Sequence, residues 1–180
     1  MAWSGHTEKL VKSWGEKAAG LKWMHLTAER MWSRVATQLS LIGIGISAVS
    51  SALAFLSTNS MYSKQIMYSA GAIGLLSSFI QSIKKFYNAE EEAAKHNIIA
   101  KRFGSLYRAA SLQLSYNRDT RQDVREFTNW AAQEYNQLQL DAPTIPDGVI
   151  TRFKETFNDS HNVPDVAQDR FDIIVCSDKE

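Results

Sequence analysis

"LSLIGIGISAVSSALAFL", Leu39 to Leu56, carries no charged side chain, yet four of its eighteen residues are serine and two are glycine. Whether it crosses a membrane or fills a soluble core decides the fold. The uncharged run extends beyond the quoted piece, from Val35 to Ser63, and a second run, Gln65 to Ile83, holds 19 residues without a charge. At ~1.5 Å per helical residue each can cross a hydrocarbon core of about 30 Å. "STNSMYSK", Ser57 to Lys64, is a short polar connection. The pair reads as an antiparallel membrane hairpin with spans at about 35–57 and 65–83. The alternative, a buried hairpin in a soluble bundle, requires core helices longer than the ~10–14 residues usual for such runs.

The flanks support the membrane reading without using hydropathy. Arg30 and Arg34 precede the first span and Lys84 and Lys85 follow the second, while the connection offers only Lys64. The positive-inside tendency then puts both termini in the cytoplasm. Trp32, Phe86 and Tyr87 would anchor the inner boundary, and Tyr62 and Tyr68 the outer one.

Small residues pattern both spans. On a helical wheel Thr37, Ser40, Ile44, Ser47, Ser51, Ala54 and Thr58 share one face, and Leu39, Ile42, Ile46, Val49, Leu53 and Leu56 lie opposite. In the second span Ala70, Gly74 and Ser78, followed by Gln81, keep a small-xxx-small rhythm. Two readings stand side by side. In one, these residues let helix backbones approach and the serines bond across the contact or back to their own helix. In the other, the hydroxyl face lines a water-filled path in an oligomer, with Gln38 near one mouth.

The rest of the chain is patterned for helices, and the predicted fold class is all-α. Val11, Trp14, Ala18, Leu21, His25, Ala28, Trp32 and Val35 recur three and four apart, predicting a helix over 7–34 that starts at Thr7 and runs on into the first span. Further helices are expected at 84–117, 120–140, capped by Asp119 or Thr120, and 147–157, capped by Asp147. "APTIP", Ala142 to Pro146, stops the helix before it. The stripe Val11, Trp14, Ala18, Leu21 and Ala28 is expected to meet Ile99, Phe103, Leu106 and Phe127 in a bundle beside the first helix. Residues 1–157 then form one two-span helical domain. Residues 158–180 form an acidic tail in which "RFDIIVC", Arg170 to Cys176, reads as a docking strand or strap.

Composition narrows the function classes. Lysine plus arginine (20) nearly balance aspartate plus glutamate (19), so no bulk positive field points to nucleic acid. The single cysteine, Cys176, excludes an intramolecular disulfide and reads as inert. The N-terminal stretch lacks the pattern of a secretory signal, so targeting falls to the internal hydrophobic segments. No phosphate loop, nucleophile elbow or zinc-protease motif occurs, and no catalytic residue, metal or cofactor is expected. Glu92 and His96 are spaced as a metal pair, but the partner carboxylates of a di-metal bundle are missing and a solvated charged face is the simpler reading. His25, on the contact stripe, reads as a core or interface histidine rather than a pH switch.

The layout resembles the SLATT-domain family (SMODS and SLOG-associating 2TM effector domain), two-span modules followed by cytoplasmic helices. The matching parts are the amphipathic helix entering the membrane, the tight hairpin, "FYNAEEEAAKHNIIAKRFGSLYR" (Phe86 to Arg108), "EYNQL" (Glu134 to Leu138) and "APTIP", over about residues 20–157. The resemblance implies a non-enzymatic membrane effector that oligomerises and forms a pore. With no nucleotide-sensing domain attached, a constitutive assembly role stays open. The alternative is a structural anchor joining a bilayer to a protein layer, such as a viral minor capsid or virion membrane protein, with the acidic tail as the contact. Expected partners are other copies of the chain, lipids and a protein met by that tail.

Overall fold

The structure, a computed structural model, describes residues 3–57, 63–157 and 163–168. All regular structure among them is helical: α1 (Gly5–Leu56), α2 (Ser63–Tyr87), α3 (Ala89–Ser115), α4 (Val124–Asp141) and α5 (Asp147–Thr156), with single 3-10 turns at Arg118–Thr120 and Asp165–Ala167. The all-α class expected from the sequence is what is found. The helices pack as two compact units, Met1–Glu29 with Ala94–Glu180 and Arg30–Ala93. The first is a helical bundle and the second a hairpin; α1 contributes to both.

Helix boundaries differ from the sequence expectation in four places, each for a local reason. α1 begins at Gly5 rather than Thr7, because the Ser4 hydroxyl accepts from the Thr7 amide at 3.2 Å and so caps the first turn. The helix after the second span does not start at residue 84: α2 runs on to Tyr87 and ends at Asn88, which adopts φ 42°. Asparagine tolerates this left-handed geometry. The Asn88 amide closes α2 on the Lys84 carbonyl, and the Asn88 carbonyl accepts from Glu91 and Glu92 to open α3. α4 begins at Val124, not near 120, because Asn117–Thr120 close on themselves and Asp123 is the residue whose carboxylate takes the Arg125 and Glu126 amides. α5 is capped by Pro146 through its carbonyl, with Asp147 inside the first turn.

The bundle core gathers the expected stripe: Val11, Ala18, Leu21 and Ala28 of α1 are buried with Ile99, Phe103 and Leu106 of α3 and Phe127 of α4, while Trp14 packs half-buried at the edge. Gly15 lets α1 and α3 close up, since a Cβ there would stand 3.2 Å from the Ala110 Cβ. Charged clamps tie the ends. Arg102 of α3 bonds Glu134 (3.2 Å) and Asp141 (2.8 Å) of α4. Glu8 of α1 takes Arg118 in a two-pronged bond (2.9 Å each) and Arg121 at 2.5 Å, and Arg121 also lies 5.1 Å over the Trp3 ring. Trp3 is buried and donates its indole N–H to the Gln122 carbonyl at 2.9 Å.

Residues 163–168 lie back across α1. Pro164 sits against Gly20, Lys17 pairs with Asp165 at 2.7 Å, and Ala167 is buried. Beneath them Trp23 meets Phe153 and Phe157 edge-on, at 5.7 and 5.4 Å. The strap expected at Arg170 to Cys176 lies outside the described residues, as do Thr58 and Tyr62.

Candidate functional site

The hairpin unit carries the distinctive chemistry. Both of its helices are long and apolar enough to cross a membrane, and only 6% and 11% of their most apolar stretches is buried. A core helix of a soluble protein would be mostly covered. Here Leu41, Ile44, Leu75 and Phe79 are 63%, 67%, 75% and 64% exposed, and Ile42, Val49, Phe55, Leu56, Met67 and Leu76 are exposed beside them. The two helices make one thin contact and leave large apolar side chains standing outward around it.

That contact is built from small residues, as a close helix approach requires. Ala36 and Gly43 on α1 and Ala70 and Ser77 on α2 are buried. The Ser47 and Ser77 hydroxyls bond each other across the seam at 2.7 Å, and Ser50 donates to the Ala70 carbonyl at 2.9 Å. Gly74 faces Ser50, whose Oγ would stand 3.5 Å from an added Cβ.

Of the residues singled out by pattern, Ser47, Ala70 and Gly74 are brought to this seam. Thr37, Ser40, Ser51 and Ser78 are not: each hydroxyl donates to a carbonyl one turn earlier on its own helix, those of Ser33, Ala36, Ser47 and Gly74, at 2.8–3.2 Å. Ala54 is exposed. Ser50 and Ser77, which sequence reasoning passed over, make two of the crossing bonds. They sit beside the expected face, and on a stretch dense in serine the wheel alone does not separate neighbouring faces; the heptad spacing of Ala36, Gly43 and Ser50 was the available signal.

The two flanks of the seam differ. One is an open groove lined by Ser40, Gly43, Ser47, Ser51, Gln81 and Lys84 among others. The other is lined only by apolar side chains and one glycine: Ile42, Gly45, Ile46, Val49, Ile73 and Leu76.

At one end of the hairpin Ala36 lines a recess with Gln81, Lys84, Lys85, Asn88, Ala89 and Glu90. The start of the first span and the end of the second are therefore level, which brings the predicted anchors to one end: Arg30, Trp32 and Arg34 on α1 and Lys84 to Tyr87 on α2. Arg30, Arg34 and Lys85 are exposed, Trp32 is half-buried, and Lys84 pairs with Glu90 at 2.9 Å. Phe86 is 85% exposed, its ring edge-on to Tyr87 at 5.7 Å. Tyr68, expected at the opposite boundary, is exposed.

The solvated charged face expected at Glu92 and His96 does not extend to His96. His96 is fully buried against His25, so His25 is a core residue. No group of three or more His, Cys, Asp or Glu side chains suited to a metal ion occurs among the described residues. No family model matches the chain, and neither a curated protein nor a solved structure matches it.

Proposed function

We propose that this chain is a non-enzymatic integral membrane protein. α1 and α2 cross the bilayer as a two-span hairpin with both termini on the cytoplasmic side. Copies associate through the hydroxyl-bearing flank of the hairpin, and a pore forms there in the manner of a SLATT-like effector. The carrying observation is the shell of exposed apolar side chains on the two uncharged stretches of α1 and α2, of which only a small share is buried. Lipid solvates such a surface and water does not. The basic and aromatic residues at one end of the hairpin supply the headgroup contacts that this orientation needs.

The unlike flanks support a division of labour. The apolar groove suits acyl chains. The groove bearing Ser40, Ser47, Ser51 and Gln81 suits another copy, because polar groups within a span favour protein or water over hydrocarbon. Purified protein in liposomes tests this. The proposal expects oligomers in mild detergent, ion flux through the vesicles, and loss of flux in Ser51→Leu with assembly retained. A strict monomer removes the pore.

A second reading rests on a specific observation. Thr37, Ser40, Ser51 and Ser78 already satisfy their hydroxyls on their own helices, so the hairpin can lie in lipid without a water path. That favours a structural anchor holding a bilayer to a protein layer, with the acidic residues 158–180 as the protein contact. Oligomers that conduct nothing, with the protein stoichiometric in a particle, select this reading.

A further inference from the structure

In the bundle unit His25 of α1 and His96 of α3 meet through their Nδ1 atoms at 2.8 Å, at 1% and 0% exposure. Their rings lie 5.1 Å apart at 40°. Phe103 stacks on His25 at 5.8 Å and 15°, and Tyr135 of α4 closes edge-on over Phe103 at 6.1 Å. The two histidines are 71 residues apart in the chain, so their bond joins α1 to α3 at the centre of the core.

Two ring nitrogens this close need one hydrogen between them: one Nδ1 donates and the other accepts. The neutral pair meets that condition. A first added proton creates a cation in an apolar site. A second puts hydrogens on both facing nitrogens and sets two like charges side by side, and the contact cannot survive it.

The charged and titratable groups on the packed elements are few, and those one turn along a helix share a face with the pair. On α1 these are Lys22, whose stem passes over Gly104 of α3, and Glu29. On α3 they are Glu92, one turn before His96, and Arg102. On α4, Glu134 and Asp141 are both bonded to Arg102, and burial holds the proton on the Tyr135 hydroxyl. From the 163–168 segment, Asp165 is paired with Lys17.

We propose that the His25–His96 pair is a proton-operated latch: neutral, it closes α1 on α3, and protonation of both rings parts that seam. Burial first, and the adjoining His96 second, push His25 from 6.5 down to about 4. Between those pH values the unfolded chain binds more protons than the folded unit. The latch is therefore whole above pH 6.5, weakens as pH falls through the window and is lost below about pH 4, a change of about 300-fold in the opening constant for this residue alone. Carboxylates with lowered values, Glu8 at about 2 with Asp123 and Asp141, act on the acid side of this window.

Hydrogen exchange of the full chain in detergent, from pH 7.5 to 3.5 and corrected for intrinsic rates, tests the latch independently of the membrane function. Native protein is expected to lose protection over residues 21–28 and 96–106, by 100-fold or more, with a midpoint between pH 4 and 6.5. The doubly substituted His25→Leu, His96→Leu chain, which replaces the pair by apolar groups of similar size, should keep its protection to below pH 4. An unchanged midpoint in that variant overturns the proposal. Should the variant not fold, imidazole NMR of the native chain decides. The latch requires a ring titrating well below 6.5 at the same midpoint as the exchange change, and two rings titrating near 6.5, or titrating with no change in exchange, contradict it.

Discussion

At Gly20 the absence of a side chain is what lets residues 163–168 reach α1. A Cβ there would stand 2.6 Å from Pro164 Cγ and 3.2 Å from Phe153 Cζ, so Gly20→Ala forces the segment outward. Overpacking costs ~1–3 kcal/mol, against up to ~1 kcal/mol from the better helix propensity of alanine. The expected net loss is about 1 kcal/mol in a denaturant melt, with faster proteolysis after Phe157. Glu8 has a pH signature of its own. Its hydrogen bonds to Arg118, and then Arg121, hold the carboxyl from 4.5 down to about 2. Its contribution is therefore present above pH 4.5 and is lost as pH falls toward 2. Glu8→Gln should flatten that acid limb in pH-dependent melts and leave the change between pH 4.5 and 6.5 as it was. Single residues were the scale least legible in the sequence. Neither the His25 partner nor the place of Trp3 follows from local spacing, because each depends on which helices meet, across 71 and 119 positions.

The elements were more legible, and their joints less so. The stripe from Val11 to Ala28 predicts both the helix and its core face, since an apolar residue every three or four positions has one geometric solution. The run Phe86 to Glu92 hides the break between α2 and α3. Its residues permit a helix, and only the backbone at Asn88 marks the joint. Asn88→Gly should keep the joint, whereas Asn88→Val, which meets the left-handed geometry with a branched side chain, should cost about 1–2 kcal/mol in thermal stability. The hairpin seam has a covalent test. With Cys176→Ser removing the native thiol, Ser47→Cys combined with Ser77→Cys places two thiols where the hydroxyls meet at 2.7 Å. Mild oxidation should close an intrachain disulfide, read as a gel shift reversed by reductant. The pair Ser51→Cys and Ser78→Cys, on the wheel face read from sequence, should form it less readily. Equal yields from the two pairs would mean that the helices meet through another face.

For the whole molecule, the membrane proposal begins from the sequence pattern. Two uncharged runs, basic residues at the outer ends of both and one lysine between them are what favour a membrane hairpin over a soluble one. The structure adds that the apolar residues of those runs are not spent on an internal core: Leu75 and Ile44 stand 75% and 67% exposed, whereas Phe103 and Met24 in the bundle are fully buried. The account predicts that the protein stays with membranes through alkaline carbonate and leaves them in detergent. Its central claim, two crossings with both termini on one side, is met most directly by a membrane-impermeant maleimide applied to right-side-out vesicles. One chain carries only Cys176, and a second carries Lys64→Cys with Cys176→Ser. The account predicts labelling of the second chain in intact vesicles, and of Cys176 only after permeabilisation. Labelling of both, or of neither, in intact vesicles would contradict it.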